Sequence, residues 1–143
     1  MGIAESSPDL KLIQHDLEVL ATLSVASSRK SPPLDVSDWK CTLLFYMACI
    51  YMKALGRLRG RDLQDHYSIK QWINTDVALV TIAKSYRKLE ERSRDARYEG
   101  RLYSRNELDQ VYRWFCDVRD QISGLLKQGG VQDIPLIDPK TCL

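Results

Sequence analysis

The chain has 143 residues, 44% of them hydrophobic and 28% charged, and a formal net charge of +2. That length holds one domain with a core of its own and not two, and so small a net charge excludes a protein that coats nucleic acid through bulk charge alone. The longest apolar stretch, LLFYMACIY at 43–51, falls short of the roughly 20 residues that span a bilayer, so no membrane role is expected.

The opening MGIAESSPDLKLIQHD has no basic stretch followed by an apolar run, so the expected location is the cytoplasm. Gly2 followed by Ser6 fits only a short, loose myristoylation pattern. Ser7-Pro8 then reads as a helix start, because Ser caps free amides and Pro is tolerated at the first helical position. Leu10, Ile13, Leu17, Leu20 and Leu23 follow at spacings of three and four, which predicts one apolar face to about residue 28. Pro32-Pro33 breaks the pattern, with Asp35 or Ser37 as cap of the next helix.

From Val36 to Arg59 runs the most apolar segment, expected as the central helix, with Trp39, Leu43, Met47, Ile50, Ala54 and Leu58 on one face. Gly60 ends it, and Asp65 or Ser68 caps a shorter helix over Ile69, Trp72 and Ile73. A fourth helix is predicted through Val77, Val80, Ile82, Ala83, Tyr86 and Leu89, becoming strongly charged from Lys84 to Arg97. Gly100 interrupts it, and Ser104-Arg105-Asn106-Glu107 is a capping box that opens a last helix through Leu108, Val111, Phe115, Val118, Ile122 and Leu126. Gly129-Gly130 stops that helix. The pattern therefore predicts an all-α bundle of about five helices over 7–128 and a tail over 129–143 that either packs across the bundle or stays mobile. Trp39, Trp72 and Trp114 are expected to anchor the core or a dimer seam.

The four cysteines, at 41, 49, 116 and 142, form no CxxC pair and read as free thiols; Cys142 is penultimate, so the end KTCL is no prenylation box. No metal or other cofactor is expected, since only His15 and His66 accompany them and neither lies near a Cys in sequence. His15, between Gln14 and Asp16, reads as a surface residue. Phosphate loops, nucleophile elbows and metal-binding His motifs are absent from the sequence. What remains are two basic clusters. Arg57, Arg59 and Arg61 precede His66, and Arg87, Lys88, Arg92, Arg94, Arg97, Arg101 and Arg105 run along the fourth helix and its exit. Glu90, Glu91, Asp95 and Glu99 are interleaved with the second cluster at ion-pair spacing, so a solvated, salt-bridged face competes with a phosphate-binding one. Tyr98 and Tyr103 stand beside it as candidates for stacking on unpaired bases.

The second helix FYMACIYMKALGRLRG, a short loop closing on His66, and the later segment LEERSRDARYEGRLYSRNEL occur in an order that resembles small prokaryotic HEPN proteins, over roughly residues 36–126. The resemblance implies a helical bundle that pairs as a homodimer, binds RNA or nucleotide, and in many members is a metal-independent endoribonuclease of a toxin–antitoxin, abortive-infection or CRISPR defence system. A cognate antitoxin or other partner protein is implied with it. The family's catalytic motif is Arg, four to six residues, then His; Arg61–His66 and Arg59–His66 both match it. In active members the motif belongs to the late helix, where this chain has Arg92, Arg94 and Tyr98, with Tyr98 at the place expected for His. Two arrangements follow: an inactive binding module, or a site in which His66 and the late arginines converge from different segments. The resemblance thus assigns His66, Arg59, Arg61, Arg94 and Tyr98 as the catalytic set and Arg57, Arg92, Arg97, Arg101 and Tyr103 as the nucleic-acid contacts. Asp95 is a candidate orienting group or simply an ion-pair partner. A non-catalytic helical adaptor, its apolar helices forming the partner interface, is the alternative.

Overall fold

The computed structural model describes residues 8–135 and 138–139. The readings made on Gly2, Ser6, Ser7 and Cys142 lie outside the described residues. Five α-helices form an all-α bundle: α1 (Pro8–Ser28), α2 (Ser37–Leu58), α3 (His66–Thr75), α4 (Ala83–Glu99) and α5 (Arg105–Gln128). A 3-10 turn at Val80–Ile82 leads into α4.

α2 is the hub, packed against α1, α3, α4 and α5, and it is buried around most of its circumference. A helix that is apolar on nearly every side must be covered on nearly every side. By length and composition α2 could cross a membrane, with an 18-residue window of mean hydropathy 1.3, but 72% of that window is buried inside the bundle. The apolar surface that would face lipid is already covered by protein. Its N-terminal approach is tied by Asp35 Oδ1, which accepts from the Ser37 amide at 2.9 Å.

The core joins Leu10, Leu17 and Leu20 of α1 to Leu44, Phe45, Met52 and Leu55 of α2, Tyr86 and Leu89 of α4, and Val111, Phe115, Val118 and Ile122 of α5. Trp72 is buried and Trp114 half-buried, but Trp39 is 58% exposed. Of the two roles expected for Trp39, core anchor or dimer seam, the core is corrected. Ser37 and Cys41 are both buried, and a two-residue offset from each turns Trp39 about 200° away from them.

The fourth helix also begins later than its apolar pattern suggests. Asp76 ends α3 and gathers the next turn: its Oδ1 accepts from the Ala78 amide at 2.8 Å and its carbonyl from the amides of Leu79 and Val80. Val77 is left 90% exposed, so it belongs to this turn and not to a helix face. Beyond α5 the tail packs: Val131 and Ile134 lie against the core, the Tyr51 hydroxyl donates to the Pro135 carbonyl, and Tyr112 Oη donates to Asp138 Oδ1 at 2.6 Å.

Candidate functional site

Three helices each present a polar stripe at three- or four-residue spacing on neighbouring faces. α2 contributes Tyr46, Cys49 and Lys53; α3 contributes His66 and Lys70; α4 contributes Tyr86, Glu90, Arg94 and Arg97. His66 is placed by the loop between α2 and α3. Gly60 takes the left-handed φ of 70° that lets the chain turn, and Asp65 caps α3 through a capping box with Ser68, its Oδ1 accepting from the Ser68 amide at 2.8 Å. The loop is held close because Leu63 packs on Gly56 of α2, where a Cβ would stand 2.8 Å from Leu63 Cδ1 and 3.3 Å from the Arg61 carbonyl.

Phe45 is the floor of the cluster. The His66 ring lies 5.3 Å from its centroid and the Arg97 guanidinium 5.8 Å from the same ring. Arg97 also stacks on Tyr46 at 5.6 Å and Tyr98 at 5.2 Å, and its Nη1 lies 3.4 Å from the Tyr46 hydroxyl. It makes no ion pair among the described residues, unlike Arg94, which joins Lys70 on the buried carboxylate of Glu90 at 3.3 and 3.2 Å. Glu90 thereby ties α3 to α4, and a charge buried this deeply is held by having both partners.

His66 is exposed, but its Nδ1 edge turns inward to Cys49 Sγ at 3.8 Å, and Sγ lies 3.4 Å from the buried Tyr86 hydroxyl. Desolvation holds the His66 pKa below its usual 6.5; Glu90 opposes this, while Arg97, Lys53 and Lys70 push the same way as burial. Desolvation pushes the Cys49 thiol up to about 12, and burial with the neighbouring Cys49 raises Tyr86 as well. The cluster at neutral pH is thus a neutral imidazole and a protonated thiol and phenol beside Lys53, Lys70 and Arg97, the three cations that act on the His66 pKa.

The convergence joins His66 to Arg97, to Arg94 through Glu90, and to Tyr98 through Arg97. Arg59 and Arg61, the two that match the Arg-to-His spacing, are engaged elsewhere: Arg59 with Asp76 at 3.6 Å and Arg61 over Trp72 at 5.1 Å. Neither is among the charges acting on the His66 pKa. Of the expected nucleic-acid contacts, Arg57 pairs with Asp9 at 2.7 Å, Arg92 lies over Trp114 at 5.7 Å, and Arg101 pairs with Glu107 at 2.7 Å and Asp95 at 3.7 Å. Tyr103 corrects its expected role: it is 5% exposed, its hydroxyl donates to the Arg92 carbonyl at 2.6 Å, and Arg101 lies over its ring at 4.9 Å, so no face is open to a base. Tyr98, 76% exposed, keeps an open face. Asp95 serves as an ion-pair partner.

Lys53, Lys70, Glu90, Cys49 and Tyr86 were not among the site residues expected from the sequence, where Glu90 stood as an ion-pair partner, Cys49 as a free thiol and Tyr86 as part of an apolar face. Their signal was the three- and four-residue spacing itself, which looks like any solvated helix face until three such faces meet. Among the described residues, no group of three or more His, Cys, Asp or Glu side chains gathers as a metal ion would need. A cleft of about 190 Å³ between Leu34–Ser37 and Tyr103–Asp109 includes no member of the His66 cluster in its lining. Comparison with protein-family models, curated proteins and solved structures finds no match for this chain.

Proposed function

We propose that the chain is a HEPN-like protein that binds the phosphates of RNA or a nucleotide at the His66–Arg97 cluster and, as a metal-independent endoribonuclease, cleaves RNA there. The observation that carries this reading is the shared seat of His66 and Arg97 on Phe45, which turns two sequence-distant phosphate-binding groups to one place with Lys53 and Lys70 beside them. Metal-free cleavage by a ribose 2′-hydroxyl forms an O2′–P bond as the P–O5′ bond breaks. A 2′,3′-cyclic phosphate and a free 5′-hydroxyl result, the O2′ proton passing to water and O5′ taking one from water. The transition state carries extra charge on the phosphoryl oxygens, which prealigned cationic donors stabilise. Arg97 suits this because aromatic faces and the Ser93 carbonyl, which accepts from Nε at 3.3 Å, hold its guanidinium, and among the described residues no carboxylate pairs with it. His66 hydrogen-bonds to the reacting oxygens from the same side. A homodimer acting in a cytoplasmic toxin–antitoxin or defence system, with a cognate antitoxin or other protein as partner, completes the reading.

The test is cleavage of a mixed single-stranded RNA pool in EDTA by wild type and by His66→Ala, Arg97→Ala and Arg59→Ala. Loss of roughly 100-fold is expected for each of the first two, and little change for Arg59→Ala. Equal cleavage by all four proteins would sink the assignment. No cleavage by any, with RNA binding lost only in Arg97→Ala, would leave a binding module at the same place.

A second reading, the non-catalytic adaptor, draws on α1. This helix packs on α2 alone among the described helices and leaves Leu12, Val19 and Val25 between 39% and 49% exposed. On that reading Val19→Lys abolishes partner capture with the bundle still folded by circular dichroism, and neither wild type nor variant cleaves RNA.

A further inference from the structure

We infer that Cys49, backed by Tyr86, is a positioning residue that fixes the tautomer of His66, so that the exposed ring edge presents an Nε2–H donor toward a bound phosphoryl oxygen. The inference rests on the phosphate-binding reading of the cluster and assigns the part His66 plays in it. Tyr86 is 1% exposed, and the partner its hydroxyl finds is Cys49 Sγ at 3.4 Å. A buried hydroxyl left without an acceptor costs the full desolvation of that donor, so the phenol proton goes to sulfur. Cys49, 5% exposed, keeps its own proton, and the second neighbour within sulfur hydrogen-bond reach is His66 Nδ1 at 3.8 Å. The thiol donates there. Every buried proton in the row Tyr86–Cys49–His66 then has an acceptor, and the imidazole proton is left on Nε2.

This differs from the familiar Cys–His arrangement, in which a thiolate faces an imidazolium and the sulfur is the reactive atom. Here the sulfur is buried in apolar surroundings and serves the ring. The consequence is a set of donors facing a phosphate, the His66 Nε2–H, the Arg97 guanidinium and the ammonium groups of Lys53 and Lys70, with the carboxylate of Glu90 held by Lys70 and Arg94. A neutral imidazole in this tautomer polarises an oxygen without taking its proton, so His66 acts as a hydrogen-bond donor to the phosphate and not as the base for O2′.

The tautomer is read directly from the two ring nitrogen shifts of His66 in ¹⁵N-labelled protein at pH 8, with no ligand present. Wild type is expected wholly as Nε2–H. Cys49→Ser, whose hydroxyl still donates, is expected to keep that form, whereas Cys49→Ala and Cys49→Val, the latter filling the space without a donor, shift the ring to an exchanging mixture. Adding inorganic phosphate then moves Nε2 and leaves Nδ1 in place. A wild-type ring protonated on Nδ1, or a tautomer unchanged in whichever of the Ala and Val variants folds, overturns the inference. A fixed Nε2–H that phosphate does not perturb would instead overturn the phosphate reading and leave the positioning role of Cys49 standing.

Discussion

Arg97 and His66 divide the work of one aromatic floor. The planar guanidinium is sandwiched by Phe45, Tyr46 and Tyr98, an arrangement an ammonium cannot reproduce. Arg97→Lys is therefore expected to weaken RNA binding by about 5- to 10-fold although the charge is kept, as read by fluorescence anisotropy with a short labelled RNA. His66 yields a prediction in pH. Its folded pKa lies below the unfolded 6.5, chiefly through desolvation, so the unfolded chain takes up the proton first as pH falls. The stability this residue contributes is complete above 6.5 and is lost as pH falls from there through the folded value. Urea midpoints measured at pH 7.5 and 5.5 should show a smaller acid loss in His66→Gln than in wild type, and parallel losses would contradict the assignment.

The elements owe their boundaries to a few polar side chains. Ser104 Oγ accepts from the Glu107 amide at 3.2 Å while Glu107 Oε1 accepts from the Ser104 amide at 3.1 Å, closing the box that starts α5. Ser104→Ala should cost about 1 kcal/mol in chemical denaturation, with the site unaffected. Gly56 behaves differently because its hydrogen atom is what allows the α2–α3 loop to approach. Gly56→Val puts branched carbon where Leu63 and the Arg61 carbonyl already stand, and overpacking of this kind costs about 1–3 kcal/mol. Since that loop delivers His66, the proposed RNA cleavage should be lost in the variant at temperatures where circular dichroism still reports a folded bundle. Retained cleavage would mean the loop position is not critical to the site.

At the scale of the molecule, α2 is the shared wall of both core and site: Phe45 faces His66 on one side and belongs to the buried cluster on the other. Phe115 of α5, 2% exposed, packs at 6.2 Å from Tyr51 within the same core. Phe115→Ala should lower unfolding free energy by about 3–5 kcal/mol, measurable as a shift in urea midpoint. The Tyr51 hydroxyl in turn holds the tail at the Pro135 carbonyl, so removal of residues 131–143 should destabilise by about 1–2 kcal/mol through loss of the Val131 and Ile134 contacts. An unchanged midpoint would show that the tail contributes nothing to the bundle.

Local chemistry in the sequence was enough to determine the all-α class, the central helix, the stops at Gly60 and Gly100 and the cap at Ser104, and to narrow the cap of α3 to Asp65 or Ser68, because each depends on neighbours within a few residues. It misplaced the start of α4, since Val77 and Val80 continue an apolar period that the Asp76 turn overrides, and of its two readings of Trp39, core or dimer seam, the exposure of the side chain removes the core. Of the site, His66 and the late arginines were legible as types. Their partners were not, because Cys49, Lys53, Lys70 and Glu90 matter only where three helices meet, and ion pairing and stacking between helices depend on distances that no spacing along the chain contains. Tertiary structure alone decided that Arg59 and Arg61 are engaged by Asp76 and Trp72 while Arg97, with no carboxylate partner among the described residues, shares an aromatic floor with the histidine.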